Sequence, residues 1–254
     1  MTNGLHHVEM VMGMAVTIDV RDPHVPAGAI TEVVDWLHHV DATFSPYKDA
    51  SPITKFGRGE ITQGELTDEI REVLDLCEAV RVDSSGAFDM SRVPAPNGTH
   101  FDPSGLVKGW SIERSATILE SWSATDFCIN AGGDIVVRGE PSPGRPWRIG
   151  IRHPDLADKL ATVVVGTGPL AIATSATYER GQHIIDPRTG QPATSLASVT
   201  VVGPSLTLAD AYATAVFVMG LDGVRWLAEH DGYGAFAVTR DGMAHSTSIF
   251  DQYR

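Results

Sequence analysis

A single histidine, His183, stands between the polar stretch Ser175-Ala176-Thr177-Tyr178-Glu179-Arg180-Gly181-Gln182 and the run Ile184-Ile185-Asp186-Pro187-Arg188-Thr189-Gly190. An imidazole titrates near neutral pH and can take a proton from a hydroxyl. Arginine and serine beside it can hold an anion, and tyrosine and aspartate can orient a substrate. The apolar run Pro169 to Ala173 reads as a strand leading in, and Pro187 with Thr189-Gly190 is turn chemistry leading out. The same residues would also make an ordinary polar hairpin whose histidine caps a loop, so the rest of the chain must decide.

Three further groups of residues carry possible chemistry. Asp102-x-x-Gly105-x-x-Lys108-Gly109 opens a helix, where free N–H groups and a lysine attract anions. It lacks the first glycine and the Lys-Ser/Thr ending of a Walker A loop. Asp210 and Thr214 lie four apart on a predicted helix and share a face. A carboxylate and a hydroxyl there are oxygen ligands for a hard cation. Thr207 with Asp210 also reads as a capping box, which would explain Asp210 without a metal. Asn130-Ala131-Gly132-Gly133-Asp134 is either a tight hairpin or a bare backbone that a ligand can approach. Met12, Tyr47 and Phe88-Asp89 are loop or bulge positions with flat or polarizable side chains, equally suited to core packing. No zinc-type histidine spacing and no GxSxG elbow is present, which disfavours a serine hydrolase.

Composition bounds the partners. The chain has 254 residues, 43% hydrophobic, with a formal charge of −13. Such a balance repels nucleic acid and anionic lipid. It also repels a phosphorylated small molecule unless a metal or a local basic group intervenes. Cys77 and Cys128 fall on apolar positions outside any CxxC pair and predict buried thiols in a reducing compartment. The first ten residues show no signal peptide or lipobox, and no apolar run is long enough to span a membrane. A cytoplasmic location is the expectation.

The positioning elements follow from periodicity. Val8 to Val20 alternates as a strand, broken at Met12-Gly13-Met14, where glycine suggests a bulge or a ligand contact. Helices are predicted over Ala27–His39, from Thr67 to before Ser84, and over Trp110–Trp122. Asp49 to Gln63 reads as irregular. Strands follow at Phe127–Asn130, Ile135–Arg138, Trp147–Arg152, Ala161–Val165, Leu170–Thr174, His183–Ile185 and Ser198–Val202. Helices Leu208–Met219 and Gly223–His230 precede two last strands, Ala235–Thr239 and Ala244–Ile249, around the Arg240-Asp241-Gly242 turn. Helices and strands come in blocks. That predicts one α+β domain over residues 1–254, its sheets largely antiparallel or mixed, with flanking helices.

Taken in order, these segments resemble the FAD:protein FMN transferase, or ApbE, family. The resemblance rests on Met12-Gly13, Phe44-Ser45-x-Tyr47, Gly86-Ala87-Phe88-Asp89, Asp102-x-x-Gly105-x-x-Lys108-Gly109, Asn130-Ala131-Gly132-Gly133-Asp134, Trp147-x-Ile149-Gly150-Ile151, His183 to Gly190, and Ala209-Asp210-Ala211-x-x-Thr214-Ala215. It implies an ApbE-like fold and Mg²⁺-dependent transfer of FMN from FAD to a threonine hydroxyl of an acceptor flavoprotein, releasing AMP. By the same resemblance Met12, Tyr47, Ala87, Phe88, Asp89, Asp102, Lys108 and Ile184 fall where the family binds FAD. Gly105 and Ala213, through their carbonyls, and Asp210 and Thr214 fall where it binds magnesium, and His183 falls where it places its base. An FAD pyrophosphatase and a non-catalytic FAD-binding protein are the alternatives. Two departures stand out: Ser175-Ala176-Thr177-Tyr178 where the family usually has Ser-Gly-Asp/Asn-Tyr, and Met14 where a threonine is frequent.

Overall fold

The computed structural model describes residues 4–156, 158–177 and 184–254. In chain order the elements are β1 (Leu5–Val11), β2 (Met14–Val20), α1 (Gly28–Phe44), α2 (Pro52–Gly57), α3 (Asp68–Asp83), α4 (Ser104–Ser121), β3 (Phe127–Ala131) and β4 (Asp134–Arg138). Then come β5 (Trp147–Arg152), β6 (Leu160–Gly166), β7 (Leu170–Ala176), β8 (Ile185–Asp186), β9 (Gln191–Pro192) and β10 (Leu196–Gly203). The chain closes with α5 (Leu206–Met219), α6 (Leu221–Leu227), β11 (Gly234–Thr239), β12 (Ala244–Ser246) and α7 (Ser248–Asp251).

Among the described residues, eight strands form one sheet in the order β1-β2-β3-β4-β7-β10-β11-β12. Every neighbouring pair is antiparallel. Alternate side chains serve two cores, as the period of 2 requires. Val16, Ile18, Ile129, Val136, Ala173, Val199 and Val201 face the helices α1, α3, α4, α5 and α6. Ile135, Val137, Leu170, Ile172, Val202 and Phe236 face the other way, under the β5–β6 ribbon (Trp147, Ile151, Val164) and Phe250 of α7. Covered on both faces, β10 is buried at every position, with only the hydroxyls of Ser198 and Thr200 interrupting its apolar residues.

The helices form for local reasons. On α1, Ile30, Val33, Leu37, Val40 and Phe44 recur on the buried face, and Ser45-Pro46 turns the chain away. Thr67 caps α3 by accepting the Ile70 N–H, with Asp68 and Glu69 in the first turn to meet the helix dipole. Helix α5 carries Ala209, Ala211, Ala213 and Ala215, all fully buried, and lies between the sheet and α4. Small residues on every side let both neighbours come close.

Several expectations are corrected. Met12 and Gly13 both have positive φ, 53° and 73°, so the break at Met12-Gly13-Met14 is the two-residue turn of a β1–β2 hairpin, not a bulge in one strand. The stretch read as irregular holds α2, whose Ser51 cap accepts the Thr54 N–H and is followed by Pro52 at the first turn. Helix α4 begins at Ser104, a turn and a half before Trp110. The last predicted strand ends at Ser246, where Thr247 caps α7 instead. Cys77 is buried as expected, whereas Cys128 is only half-buried.

Asp22, 7% exposed, clamps the loop before β3. Its carboxylate accepts the Thr125 N–H (2.8 Å), the Thr125 hydroxyl (2.9 Å) and the Asp126 N–H (2.8 Å). Burial pushes its pKa up, but these bonds outweigh burial and hold it below the usual carboxylate value. A lowered folded pKa means stability that is present above the unfolded value of about 3.9 and lost as pH falls through the folded value. Asp22→Ala is therefore expected to lose roughly 1–3 kcal/mol in urea unfolding at pH 7, and its deficit should shrink steadily below about pH 4. A deficit independent of pH would contradict the clamp.

Candidate functional site

The site forms where the first turns of α4 and α5 cross beneath the start of β4. The crossing is close because residue 109 is glycine. A Cβ there would collide with the Leu206 carbonyl oxygen and stand 2.8 Å from Asp210 Cβ. The Gly109 N–H donates to Asp210 Oδ2 at 2.9 Å. In a regular α-helix this donor aims at the Gly105 carbonyl. One turn earlier, a Cβ at Gly105 would lie 3.2 Å from the Phe88 ring and 3.7 Å from Thr214 Oγ1. Gly105, Lys108, Asp210, Thr214 and Phe88 thus share one small region, although they come from three separate segments.

Asp134 joins them from the sheet. It is 1% exposed and sits on the helix-facing side of β4 with Val136. Its Oδ1 accepts the Thr174 N–H at 3.1 Å, and its Oδ2 lies 2.6 Å from Lys108 Nζ. Lys108 Nζ is also 3.9 Å from Asp210 Oδ1, so one ammonium is bracketed by two buried carboxylates. Burial above all raises the pKa of Asp210, and the neighbouring Asp134 charge adds to this; Lys108 and the Gly109 N–H oppose it. Burial and the Asp134 charge disfavour a second ionised carboxylate beside the lysine, a cost that a divalent cation would relieve. A buried carboxylate, a threonine hydroxyl and backbone carbonyls are the oxygen donors that a hard cation takes.

Helix α5 is held in place at its start. Ser205 is its cap and accepts the Leu208 N–H. Glu113 Oε2 on α4 accepts the Ser205 hydroxyl at 2.7 Å, the Thr207 N–H at 3.0 Å and the Thr207 hydroxyl. The capping-box reading of Thr207 and Asp210 is therefore corrected: Thr207 is tied to Glu113, and Asp210 reaches across to α4.

The remaining predicted residues scatter around this region. Ala87, Phe88 and Asp89 are buried, and Ser84 Oγ accepts the Phe88 N–H. Asp102 Oδ1 accepts the Ser104 N–H at 2.9 Å in a local turn at the entry to α4, and the Asp102 N–H donates to the Met90 carbonyl. Met12 and Ile184 are half-buried against the helix-side core, and Ala213 is buried on α5. Tyr47 is 73% exposed. His183 and Tyr178 lie outside the described residues. Asp134 and Glu113 were missed as individual residues. The Gly-Gly turn before Asp134 was the available signal; Glu113 had none, since its partners lie on another helix.

Fold and site together define an α+β protein with a buried, carboxylate-rich cluster under one antiparallel sheet. The ApbE family profile matches residues 12–97 and 92–237. The curated FAD:protein FMN transferase of Haemophilus influenzae is 32% identical over 296 aligned positions, covering 92% of this chain and 83% of that protein. Those of Klebsiella pneumoniae and Escherichia coli K12 are 29% and 28% identical over 60% and 61% of this chain. These two matches span about half of those relatives' length, 46% and 47%. Among solved structures, the flavin transferase ApbE of Vibrio cholerae superposes with a TM-score of 0.86 at 24% identity, covering 99% of both chains. The ApbE protein of Thermotoga maritima superposes with a TM-score of 0.87 at 23% identity, again over 99% of both. The chain belongs to the ApbE family.

Replacing glycine by alanine in an open helix stabilises by about 1 kcal/mol. At Gly109 the opposite sign is expected. Gly109→Ala should lose roughly 1–3 kcal/mol by forcing α4 from α5, read as a lower midpoint in chemical denaturation. An unchanged or raised midpoint would mean that the helices are not in contact there.

Proposed function

We propose that this protein moves FMN from FAD onto a threonine hydroxyl of an acceptor flavoprotein in a magnesium-dependent reaction that releases AMP. The observation that carries the reading is the buried crossing of α4 and α5, where Lys108, Asp134 and Asp210 meet beside Gly105 and Thr214. That constellation is suited to a diphosphate, whose charge must be neutralised before a nucleophile can approach.

Asp210, Thr214 and the carbonyls of Gly105 and Ala213 would hold the ion. When bound, Mg²⁺ supplies Lewis-acid polarisation of the phosphoryl oxygens. Lys108 would meet the remaining phosphate charge, fixed in direction by Asp134. Met12, Tyr47, the Ala87-Phe88-Asp89 segment, Asp102 and Ile184 would line the dinucleotide. The buried Phe88 ring beside Gly105 would help exclude water from the reacting phosphorus. His183 would accept the threonine proton at a ring nitrogen as the threonine oxygen bonds to the FMN phosphorus. The bond from that phosphorus to the bridging oxygen breaks, and AMP leaves with that oxygen. General base assistance of this kind is worth about 10²–10⁴-fold.

The name of the relatives, FAD:protein FMN transferase, supports the same substrate and the same class of acceptor. No helix among the described residues is long and apolar enough to cross a membrane.

Mass spectrometry of a candidate acceptor after incubation with FAD and Mg²⁺ is expected to find an FMN adduct on threonine. Free FMN formed at the same rate without acceptor would instead favour hydrolysis by water. Asp210→Asn is expected to abolish the magnesium response while FAD binding, read by flavin fluorescence, falls less. His183→Ala should lower turnover by at least about 10²-fold. Turnover unchanged in that variant would remove the base assignment.

A further inference from the structure

Lys108 makes two unequal ion pairs at the helix crossing. Its ammonium lies 2.6 Å from Asp134 Oδ2 and 3.9 Å from Asp210 Oδ1. Asp134 is the anchor, a buried carboxylate set on β4 that also accepts the Thr174 N–H. Asp210 is the looser partner, and its Oδ2 is already engaged by the Gly109 N–H at 2.9 Å. The lysine side chain is 27% exposed, the most open of the three, so its ammonium stands between the two carboxylates and accessible space.

Asp210 is also the carboxylate proposed to hold the divalent ion. An ion bonded to it and an ammonium 3.9 Å from the same carboxylate repel each other at short range, in surroundings too buried for full screening by water and salt. Two positive groups therefore compete for Asp210. The sign is the same whether or not the ion displaces a proton there, because a divalent ion brings more charge beside the ammonium than a proton does. Asp134 holds the lysine in place, so the ammonium cannot simply leave when the ion arrives. A diphosphate changes the balance. Its oxygens accept charge-assisted hydrogen bonds from the ammonium and offset the charge that had opposed the ion.

We propose that Lys108 is a charge gate on the cation site: with no dinucleotide bound, its ammonium holds down the affinity for a divalent ion at Asp210, and the diphosphate of FAD lifts that restraint by becoming the partner of the ammonium. The proposal rests on the transferase reading for the identity of the diphosphate. Its consequence is that one residue favours FAD and disfavours the free ion, so the ion is kept out until there is a substrate to act on. Linkage makes the effect reciprocal, since whatever the dinucleotide does for the ion the ion does for the dinucleotide.

The test separates the two ligands, so that no turnover intervenes. Mn²⁺, which takes the same oxygen donors as Mg²⁺, is titrated into FAD-free protein and followed by the loss of its free-ion paramagnetic resonance signal. FAD is titrated separately in EDTA and followed by flavin fluorescence. Lys108→Gln keeps a donor for Asp134 and drops the charge. It should bind Mn²⁺ at least about tenfold more tightly than wild type, and metal-free FAD at least about tenfold more weakly. Lys108→Met, checked like the others for folding by circular dichroism, should show the same two opposite shifts. Lys108→Arg, which keeps the charge, should bind Mn²⁺ as weakly as wild type. Damaged packing would lower both affinities together, so the opposite signs belong to the charge. Mn²⁺ affinity unchanged or lowered in folded Lys108→Gln or Lys108→Met overturns the gate, and so does equal tightening in Lys108→Arg. With FAD still bound by wild type, either result leaves the transferase reading standing. Tight Mn²⁺ binding that survives Asp210→Asn in the Lys108→Gln background also overturns the gate, by placing the ion elsewhere. Wild-type protein that binds no FAD, with or without Mg²⁺, removes the transferase reading and the gate with it.

Discussion

The approach of α4 to α5 at Gly109 is the contact on which the site depends. A single missing Cβ lets the Gly109 N–H reach Asp210 and brings Lys108 between Asp210 and Asp134. The three charges are interdependent. A buried carboxylate left without a partner costs several kcal/mol, so neither aspartate is tolerable at this depth without the lysine and the backbone donors around it. Glu113 fixes the same pair of helices by collecting three donors at the start of α5. The helices are thus locked at one angle and one register, and the oxygen atoms of Gly105 and Thr214 inherit that precision.

Much of this was legible in the sequence, for identifiable reasons. Helices α1 and α3 carry their apolar residues at helical spacing and have clear boundaries in Pro46 and Thr67, so both appear almost as read. The strands of the second half were legible because they are short apolar runs between turns. Local features without periodicity were not. Helix α2 is only six residues long and rests on the Ser51 cap and Pro52. The Met12-Gly13 turn hides inside an alternating pattern that continues on both sides of it. At the site, spacing alone paired Asp210 with Thr214, four apart on one helix. It could not reveal that Asp210 answers to Gly109, or Lys108 to Asp134, because those partners meet only after α4, β4 and α5 have packed. The family resemblance supplied the order of the segments, and the fold supplied the distances.

The two faces of the sheet divide the labour. The helix-facing side holds Asp134 and the charged crossing, while the opposite side is an apolar layer closed by the β5–β6 ribbon and Phe250. Because successive residues of β4 point to opposite sides, Ile135 anchors the strand from behind while Asp134 and Val136 look toward the helices. The charged cluster therefore stands on a strand packed from both sides.

The strand order has a consequence for how the molecule is made. β2 lies against β3, Val20 beside Phe127, with α1, α2, α3 and α4 all intervening in the chain. The opening hairpin must wait for more than a hundred residues to be synthesised before it gains its neighbour. α5, which completes the charged crossing, emerges later still. Until then the Lys108–Asp134 pair lacks Asp210. Long-range pairing of this kind slows assembly and exposes unpaired edges while it proceeds. Ligand-holding geometry is accordingly among the last things to appear as the polypeptide leaves the ribosome, and a truncated chain would carry most of the apparatus with no means of closing it.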